Sequence, residues 1–319
     1  MDKQELENQI EDLKLAIKEL ENLNNDKMLD VKEDLEFAKS KLKDLERISG
    51  GEYTAWEKVE IARNSKRATS LDLIERIFDE FMELHGDRTC CDDKAIVCGL
   101  ASLEGQNYTI IAEQKGRNTK ENIERNFGMP NPESYKKGIR FMKQAEKFGR
   151  PVITFIDTKG AYPGIEAEEH GQGEAIARSM YELSKLKVPV IAVVVGEGSS
   201  GGALALGVGD RIIMLENAVY SILSPEGYSS ILWKDGSRKK EAAEKMKLTA
   251  DDLYDFDVID EIIKEPFGGV TLDNIDDVVA ALKIRIIKLT EELKTLTPDK
   301  LIEQRYKKFR NMGKYKGLN

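Results

Sequence analysis

Residues 188–210 read VPVIAVVVGEGSSGGALALGVGD, an apolar run that passes directly into a cluster of glycines and then into small residues. A continuous apolar run of this length without alternation predicts a strand covered on both faces, as in a parallel sheet. Glycines directly behind it mark a place where backbone approaches something closely. Working outward, the other candidate strands are 95–103, 108–113, 151–157, 211–215 and 219–223. Helical periodicity fills the gaps, most clearly at 132–148, 168–186 and 276–293. Strands alternating with helices predict an α/β fold. A linking helix carrying Leu73, Ile74, Ile77, Phe78 and Phe81 is expected before the first strand.

The chain's beginning has another character. Leu6, Ile10, Leu13, Ile17 and Leu20, and then Val31, Leu35, Ala38, Leu42 and Leu45, recur at steps of four and three, the seam of a coiled coil. Asn24, Asn25 and Asp26 lie between them as a turn, and Gly50 with Gly51 ends the second run. Residues 1–50 are therefore expected to form an antiparallel helical hairpin, either a packing arm or an oligomerisation device, and residues 51–319 the α/β domain with C-terminal helices.

Composition narrows the functional classes. The 319 residues are 40% hydrophobic and 34% charged, with 49 basic against 58 acidic side chains and a net charge of −9, so nucleic acid and membrane are not expected partners. MDKQELENQ, at the start, lacks the apolar core of a signal peptide, and no apolar run reaches the ~18 residues of a membrane span, which predicts a cytoplasmic protein. Cys90, Cys91 and Cys98 are closely spaced without a CxxC pair, and His85 and His170 are the only histidines. Ordinary cysteines of a reduced protein are expected, with no metal site in this chain.

The glycine cluster fits several chemistries. Gly196, Gly198 and Gly201 form G-x-G-x-x-G, with Glu216 placed as a ribose-binding acid would be, the pattern of an NAD-dependent dehydrogenase; against it, the following helix, interrupted by Gly207 and Gly209, is short. Gly198, Ser200 and Gly202 form G-x-S-x-G, a nucleophile elbow, but both histidines precede the serine. A P-loop fails, because Gly202 and Ala203 stand where Lys and Ser/Thr are required. The backbone itself remains: N–H groups of Gly201, Gly202 and Ala203 opening a helix make an anion-stabilising pocket, an oxyanion hole without a nucleophile. The plainer reading is that the glycines only permit a tight strand-to-helix turn.

Residues 155–177, FIDTKGAYPGIEAEEHGQGEAIA, repeat the design: a strand, the loop Gly160, Ala161, Tyr162, Pro163 and Gly164, then an acidic helix start. Loops at the same ends of parallel strands share one rim of a sheet. Asp157, at the strand end, is expected more as a loop cap than as a metal ligand or base.

Together QKGRNTKENIERNFGMPNPESYKK (114–137), FIDTKGAYPG (155–164), GEGSSGGALALGVGDR (196–211) and SILSPEGYSSILWKD (221–235) resemble the carboxyltransferase alpha subunits of bacterial acetyl-CoA carboxylases. AWEKVEIARN (55–64), GDRTCCDDKAIV (86–97) and the EPFGG segment (265–269) extend the likeness over almost the whole chain. The resemblance implies a crotonase-like spiral fold and half an active site. A separate beta subunit, in an alpha2-beta2 assembly, would supply the other half. The implied reaction moves a carboxyl group from carboxybiotin to acetyl-CoA, giving malonyl-CoA for fatty acid biosynthesis. Biotin would arrive on a biotin carboxyl carrier protein loaded by an ATP-dependent biotin carboxylase, and zinc is expected only in the beta subunit. By the same resemblance, Gly201, Gly202 and Ala203 would bind the ureido oxygen of biotin. Ser200 and the loop Gly160–Gly164 would shape its entrance, and Lys115, Gly116 and Arg117 would lie near the CoA phosphates or the interface. The enolate of acetyl-CoA would be stabilised mainly by the beta chain. Lys159 stands where proline is common in that family, His170 where arginine is, and Gly173 where serine is. The alternatives carried forward are the dehydrogenase and a non-catalytic crotonase-like scaffold.

Overall fold

The computed structural model describes residues 3–25 and 32–313. Eight strands, β1 (Glu80–Glu83), β2 (Ile96–Leu103), β3 (Gln106–Glu113), β4 (Val152–Thr158), β5 (Val190–Ser199), β6 (Arg211–Leu215), β7 (Val219–Ser221) and β8 (Glu261–Ile263), form one sheet in the order β1-β2-β3-β4-β5-β6-β8. The first three are antiparallel, and from β3 through β8 every pairing is parallel. The helices before the parallel part are α1 (Lys3–Asn25), α2 (Lys32–Ser49), α3 (Ala55–Ala62), α4 (Ser70–Ile77) and α5 (Thr119–Glu124). Those interleaved with it are α6 (Pro132–Phe148), α7 (Ile165–Glu169), α8 (Gln172–Lys185) and α9 (Ser200–Gly207). Then follow α10 (Pro225–Trp233), α11 (Lys239–Met246), α12 (Ala250–Asp255), α13 (Asp276–Lys294) and α14 (Pro298–Asn311).

The apolar run that announced β5 is buried from end to end, as are all seven residues of β4. Helices cover both faces, so these strands have no solvent side to encode, and their sequences do not alternate. Strand β5 also changes partners along its length: Ile191–Val194 pair with β6, whereas Glu197–Ser199 pair with β7. That switch lets the sheet turn away at its end, and it carries Gly196 and Gly198 inside the strand rather than in a loop.

Several boundaries differ from expectation. Phe81 lies in β1 and Phe78 caps α4 in an extended conformation, because β1 pairs with β2 and its apolar residues pack across the sheet instead of along a helix. Strands β1 and β8, four and three residues long, carry too little periodicity to be read. Residues 168–186 divide into α7 and α8 at Gly171, whose φ of +82° breaks the helix.

Helices α1 and α2 pack together. Lys14 pairs with Glu46 at 2.7 Å and Lys39 with Glu21 at 2.6 Å, a crossing of sequence numbers that only antiparallel helices allow. Asn24 and Asn25 end α1, while Asp26 and Val31, expected in the turn and at the start of the second seam, lie outside the described residues. Among the described residues no helix is long and apolar enough to cross a membrane.

Gly173, in the first turn of α8, has ordinary φ and open space where a Cβ would stand. Gly173→Ala should therefore stabilise the chain by up to about 1 kcal/mol through reduced unfolded-state freedom. A chemical denaturation midpoint that falls instead would show a contact the structure lacks.

Candidate active site

The parallel strands β3, β4 and β5 end side by side, at Glu113, Thr158 and Ser199, and the loops that leave them meet on one rim. The loop after β4 is pinned at its base: Thr158 Oγ1 donates to the Gly128 carbonyl at 2.6 Å and accepts the Gly160 N–H at 3.0 Å. Tyr162 N–H donates to the Pro130 carbonyl at 3.0 Å, and Gln172 Nε2 to the Tyr162 carbonyl at 2.9 Å. Gly160 has φ +131°, a region closed to most side chains.

After β5 the chain turns sharply. Ser200 adopts the left-handed conformation, φ +56°, costly for a residue with a Cβ. The turn admits no cap: Ser199 makes no side-chain bond to the first turn of α9, in contrast to Thr54 at α3. Among the described residues none of the N–H groups of Gly201, Gly202 and Ala203 bonds outside α9, and a helix offers no i−4 partner to its first turn. The two loops touch backbone to backbone here. A Cβ on Gly202 would lie 2.7 Å from the Ala161 nitrogen and 2.8 Å from the Gly160 carbonyl carbon. The structure thus brings together Gly160, Ala161, Ser200, Gly201, Gly202 and Ala203, with Tyr162, Pro163 and Gly164 on the outer side of the same loop.

Beneath the rim runs a chain of charges. Lys115 Nζ lies 2.6 Å from Asp157 Oδ1 and 3.2 Å from Glu197 Oε2. Arg63, the C-cap of α3, joins Glu197 to Glu226, at 2.8 Å to each. Asp157 accepts the Glu197 N–H at 2.9 Å, across a shift of register between β4 and β5. Gly196 makes this approach possible, since a Cβ there would lie 2.4 Å from Asp157 Oδ1. Asp157 is therefore a clamp between two strands, not the loop cap expected of it. Burial alone would lower the Lys115 ammonium, but its two carboxylate neighbours hold it above the ordinary lysine range. Burial opposes the Glu197 charge, and Lys115 with Arg63 overcome it, holding that carboxyl below the usual range.

Glu113 is the exception. Fully buried, it accepts the Asp157 N–H at 3.0 Å through one oxygen, while the other has no partner. Burial pushes its carboxyl well above the usual range, against the pull of that N–H. A carboxyl whose folded pKa exceeds its unfolded value of about 4.3 favours the fold fully below that pH, and loses the advantage as pH rises through the folded pKa. Glu113→Gln should remove this term, so the melting temperature of the variant should gain on wild type as the pH rises above the unfolded value of about 4.3. A gap independent of pH would contradict a neutral Glu113.

The positions near Lys115 are tied to carboxylates. Arg117 pairs with Asp72 at 2.6 Å, and Lys115 is held between Asp157 and Glu197. Gly116 packs against the Asn122 backbone, where a Cβ would come within 2.1 Å. These residues line, with Arg63, Arg67, Asp157, Lys159 and Glu197, a cleft of about 350 Å³. Lys159 is exposed and without an ion pair among the described residues. Arg63, Glu197, Glu226 and Glu113 escaped sequence reading. They are single charged residues far apart in the chain, and although Arg63, Glu197 and Glu226 lie inside the blocks 55–64, 196–211 and 221–235, nothing in those blocks marks them as partners.

The rival patterns fail on geometry. Gly196 and Gly198 sit within β5, so the G-x-G of a dinucleotide turn is not a turn, and Glu216 is spent on Lys264, at 2.6 Å, and on the Glu265 N–H. Ser200 has the strained turn of a nucleophile elbow but no base: His85 bonds Asp92 at 3.1 Å and His170 bonds Glu133 at 3.0 Å.

Comparison with known proteins gives the chain's family and fold. A family model described as acetyl co-enzyme A carboxylase carboxyltransferase-like matches residues 3–313. The acetyl-coenzyme A carboxylase carboxyl transferase subunit alpha of Halalkalibacterium halodurans is 50% identical over 315 residues, 99% of this chain and 97% of that one. The corresponding subunit of Clostridium acetobutylicum is 58% identical over 264 residues, 83% of this chain and 96% of its own. Among solved structures, a transcarboxylase 12S superposes with TM-score 0.60 at 19% identity over 73% of this chain, which spans 43% of the larger one. A Pseudomonas malonate decarboxylase hetero-tetramer in complex with coenzyme A superposes with TM-score 0.56 at 15% identity, covering 67% of this chain and 85% of that one. These last likenesses bear on the fold, an α/β crotonase-like arrangement. The near full-length matches bear on the family, and the chain belongs to the acetyl-CoA carboxylase carboxyltransferase alpha subunits, the transferase component of that enzyme.

Proposed function

We propose that this chain forms the biotin-facing half of a carboxyltransferase site, completed by a separate beta subunit in an alpha2-beta2 assembly. The observation that carries the reading is the uncapped first turn of α9, set against the Gly160–Gly164 loop with no histidine base on the rim. Carboxybiotin, when bound, supplies the carboxyl group that acetyl-CoA receives to become malonyl-CoA. The N–H groups of Gly201, Gly202 and Ala203 donate to the ureido oxygen of biotin, where negative charge grows as the carboxyl group leaves. Each such donor is worth about 3 kcal/mol when removed from comparable sites, and the α9 dipole adds to it.

The loop Gly160–Gly164 shapes the entrance, and Ser200 holds the turn that aims the donors. An apolar cavity of about 270 Å³ beside Ser200, walled by Leu204, Tyr220 and Ile222, offers a surface for an uncharged ring system. Lys115 positions Asp157 and Glu197 beneath the rim, and Lys159, a cation of the cleft without an ion pair among the described residues, is placed to meet an anionic substrate. Apolar Ile165 and Ile222, 80% and 74% exposed near the loops, suit coverage by a partner chain. Biotin would be delivered by a biotin carboxyl carrier protein and charged by a biotin carboxylase, and the zinc that the family resemblance implies would lie in the beta subunit.

The test is reconstitution. Malonyl-CoA-dependent carboxylation of biotin, the reverse reaction, should be absent for the isolated chain and appear when a beta subunit is added. Full activity of this chain alone would overturn the half-site reading.

A further inference from the structure

We propose that Cys90, Cys91 and Glu133 form a binding site for a divalent cation of the zinc class, with His170 as the positioning residue for the glutamate. The two thiols and a Glu133 carboxylate oxygen all lie within 4.8 Å of one another, although the glutamate is more than forty residues away in sequence. Tetrahedral zinc with sulfur ligands at about 2.3 Å separates those sulfurs by about 3.8 Å, a spacing that side-chain rotation closes.

The geometry is built rather than incidental. Asp87 folds the loop by accepting the N–H groups of Thr89 at 2.8 Å and Cys90 at 2.9 Å, and its own N–H donates to the Cys91 carbonyl at 3.1 Å. Asp92 fixes the loop's far side, accepting the Gly86 N–H at 2.9 Å and pairing with Lys137 at 2.6 Å. Glu133 stands in the first turn of α6 with its side chain 5% exposed, whereas both cysteines are open to solvent. His170 Nδ1 lies 3.0 Å from Glu133 Oε1, the outer hydrogen bond that commonly orients a metal-binding carboxylate. Lys136, 3.8 Å from the same oxygen, offsets part of the charge.

Chemistry selects the cation. Two thiolates favour zinc-class ions over calcium or magnesium, and three protein ligands leave a fourth position to solvent. Cys98, buried in β2, does not join the cluster. An ion here would tie the 86–92 loop to the start of α6 and, through His170, to the α7–α8 turn behind the Gly160–Gly164 loop.

The full-length chain, metal-free and kept reduced by a non-chelating phosphine, is titrated with Zn²⁺ against a chromophoric chelator, and with Co²⁺ for thiolate-to-metal charge-transfer absorption. One ion per chain and a cobalt–thiolate band are expected. Cys90→Ser should weaken Zn²⁺ binding by roughly a hundredfold and His170→Ala by roughly tenfold, and the metal-free variants should melt with wild type. Cys90→Ser with Cys91→Ser should abolish the cobalt band. Unchanged Zn²⁺ affinity in the double serine variant, or no band in wild type, overturns the site; unchanged affinity in His170→Ala overturns the histidine's role.

Discussion

Gly202→Val, assembled with a beta subunit, is expected to lose carboxyl transfer by a factor of about 10² to 10³, the range for losing an oxyanion donor. The cause is contact rather than chemistry at the side chain. The first added carbon would meet the Ala161 nitrogen at 2.7 Å and the Gly160 carbonyl carbon at 2.8 Å, and both are backbone, with no flexible end to move aside. Either the 160–164 loop or the first turn of α9 must shift, and either shift misaims the donors. Gly201→Ala gives the comparison, since its Cβ would stand 3.4 Å from Ile176 Cγ2, an ordinary van der Waals contact, and its N–H is kept. That variant should lose less than about tenfold. Measured kcat and circular dichroism on both variants decide the matter. Equal losses, or a fully active Gly202→Val, would show that the junction of the two loops does not set the catalytic geometry.

Lys115→Met should destabilise the chain by about 3–5 kcal/mol, the usual cost of removing one partner from a buried ion pair. The ammonium stands between Asp157 and Glu197, both nearly inaccessible, and its loss leaves two carboxylates facing each other with only Arg63 to balance them. Lys115→Met combined with Glu197→Gln should recover part of the loss, because one of the two orphaned charges is gone. Urea midpoints for the two single variants and the double give the coupling directly. If Lys115→Met were as stable as wild type but bound acetyl-CoA more weakly, the lysine would be a phosphate ligand after all, and the clamp assigned to it would be wrong.

Both expectations depend on features of unequal legibility. The strand ending at Ser199 and the glycines after it were readable, because burial on both faces forces an unbroken apolar run and a sharp turn without side chains forces glycine. Helix α6 was readable for a similar reason: Pro132 opens it, an apolar face recurs through it, and Gly149 in the left-handed conformation closes it. The choice between a dinucleotide turn, a nucleophile elbow and a backbone oxyanion hole was not readable from the motif. It turns on where β5 stops, three residues beyond Gly196, and that is set by the pairing of Glu197–Ser199 with β7 from outside the motif. Asp157 and Lys115 were visible as charged residues near strand ends, but their pairing was not, because each one's partner lies forty or more residues away.

By itself the sequence determined the α/β class, the helical seams near its start, the glycine-rich loops and, through blocks spread over nearly its whole length, the family. These are properties of local periodicity and of composition at fixed spacing, which a linear chain carries explicitly. Only the tertiary structure decided which groups meet: Gly202 against the 160–161 backbone, Lys115 between Asp157 and Glu197, Arg63 across to Glu226, and Cys90 and Cys91 beside Glu133 and His170. Such meetings depend on strand register and helix placement accumulated over the whole sheet, and no short stretch of sequence contains that sum.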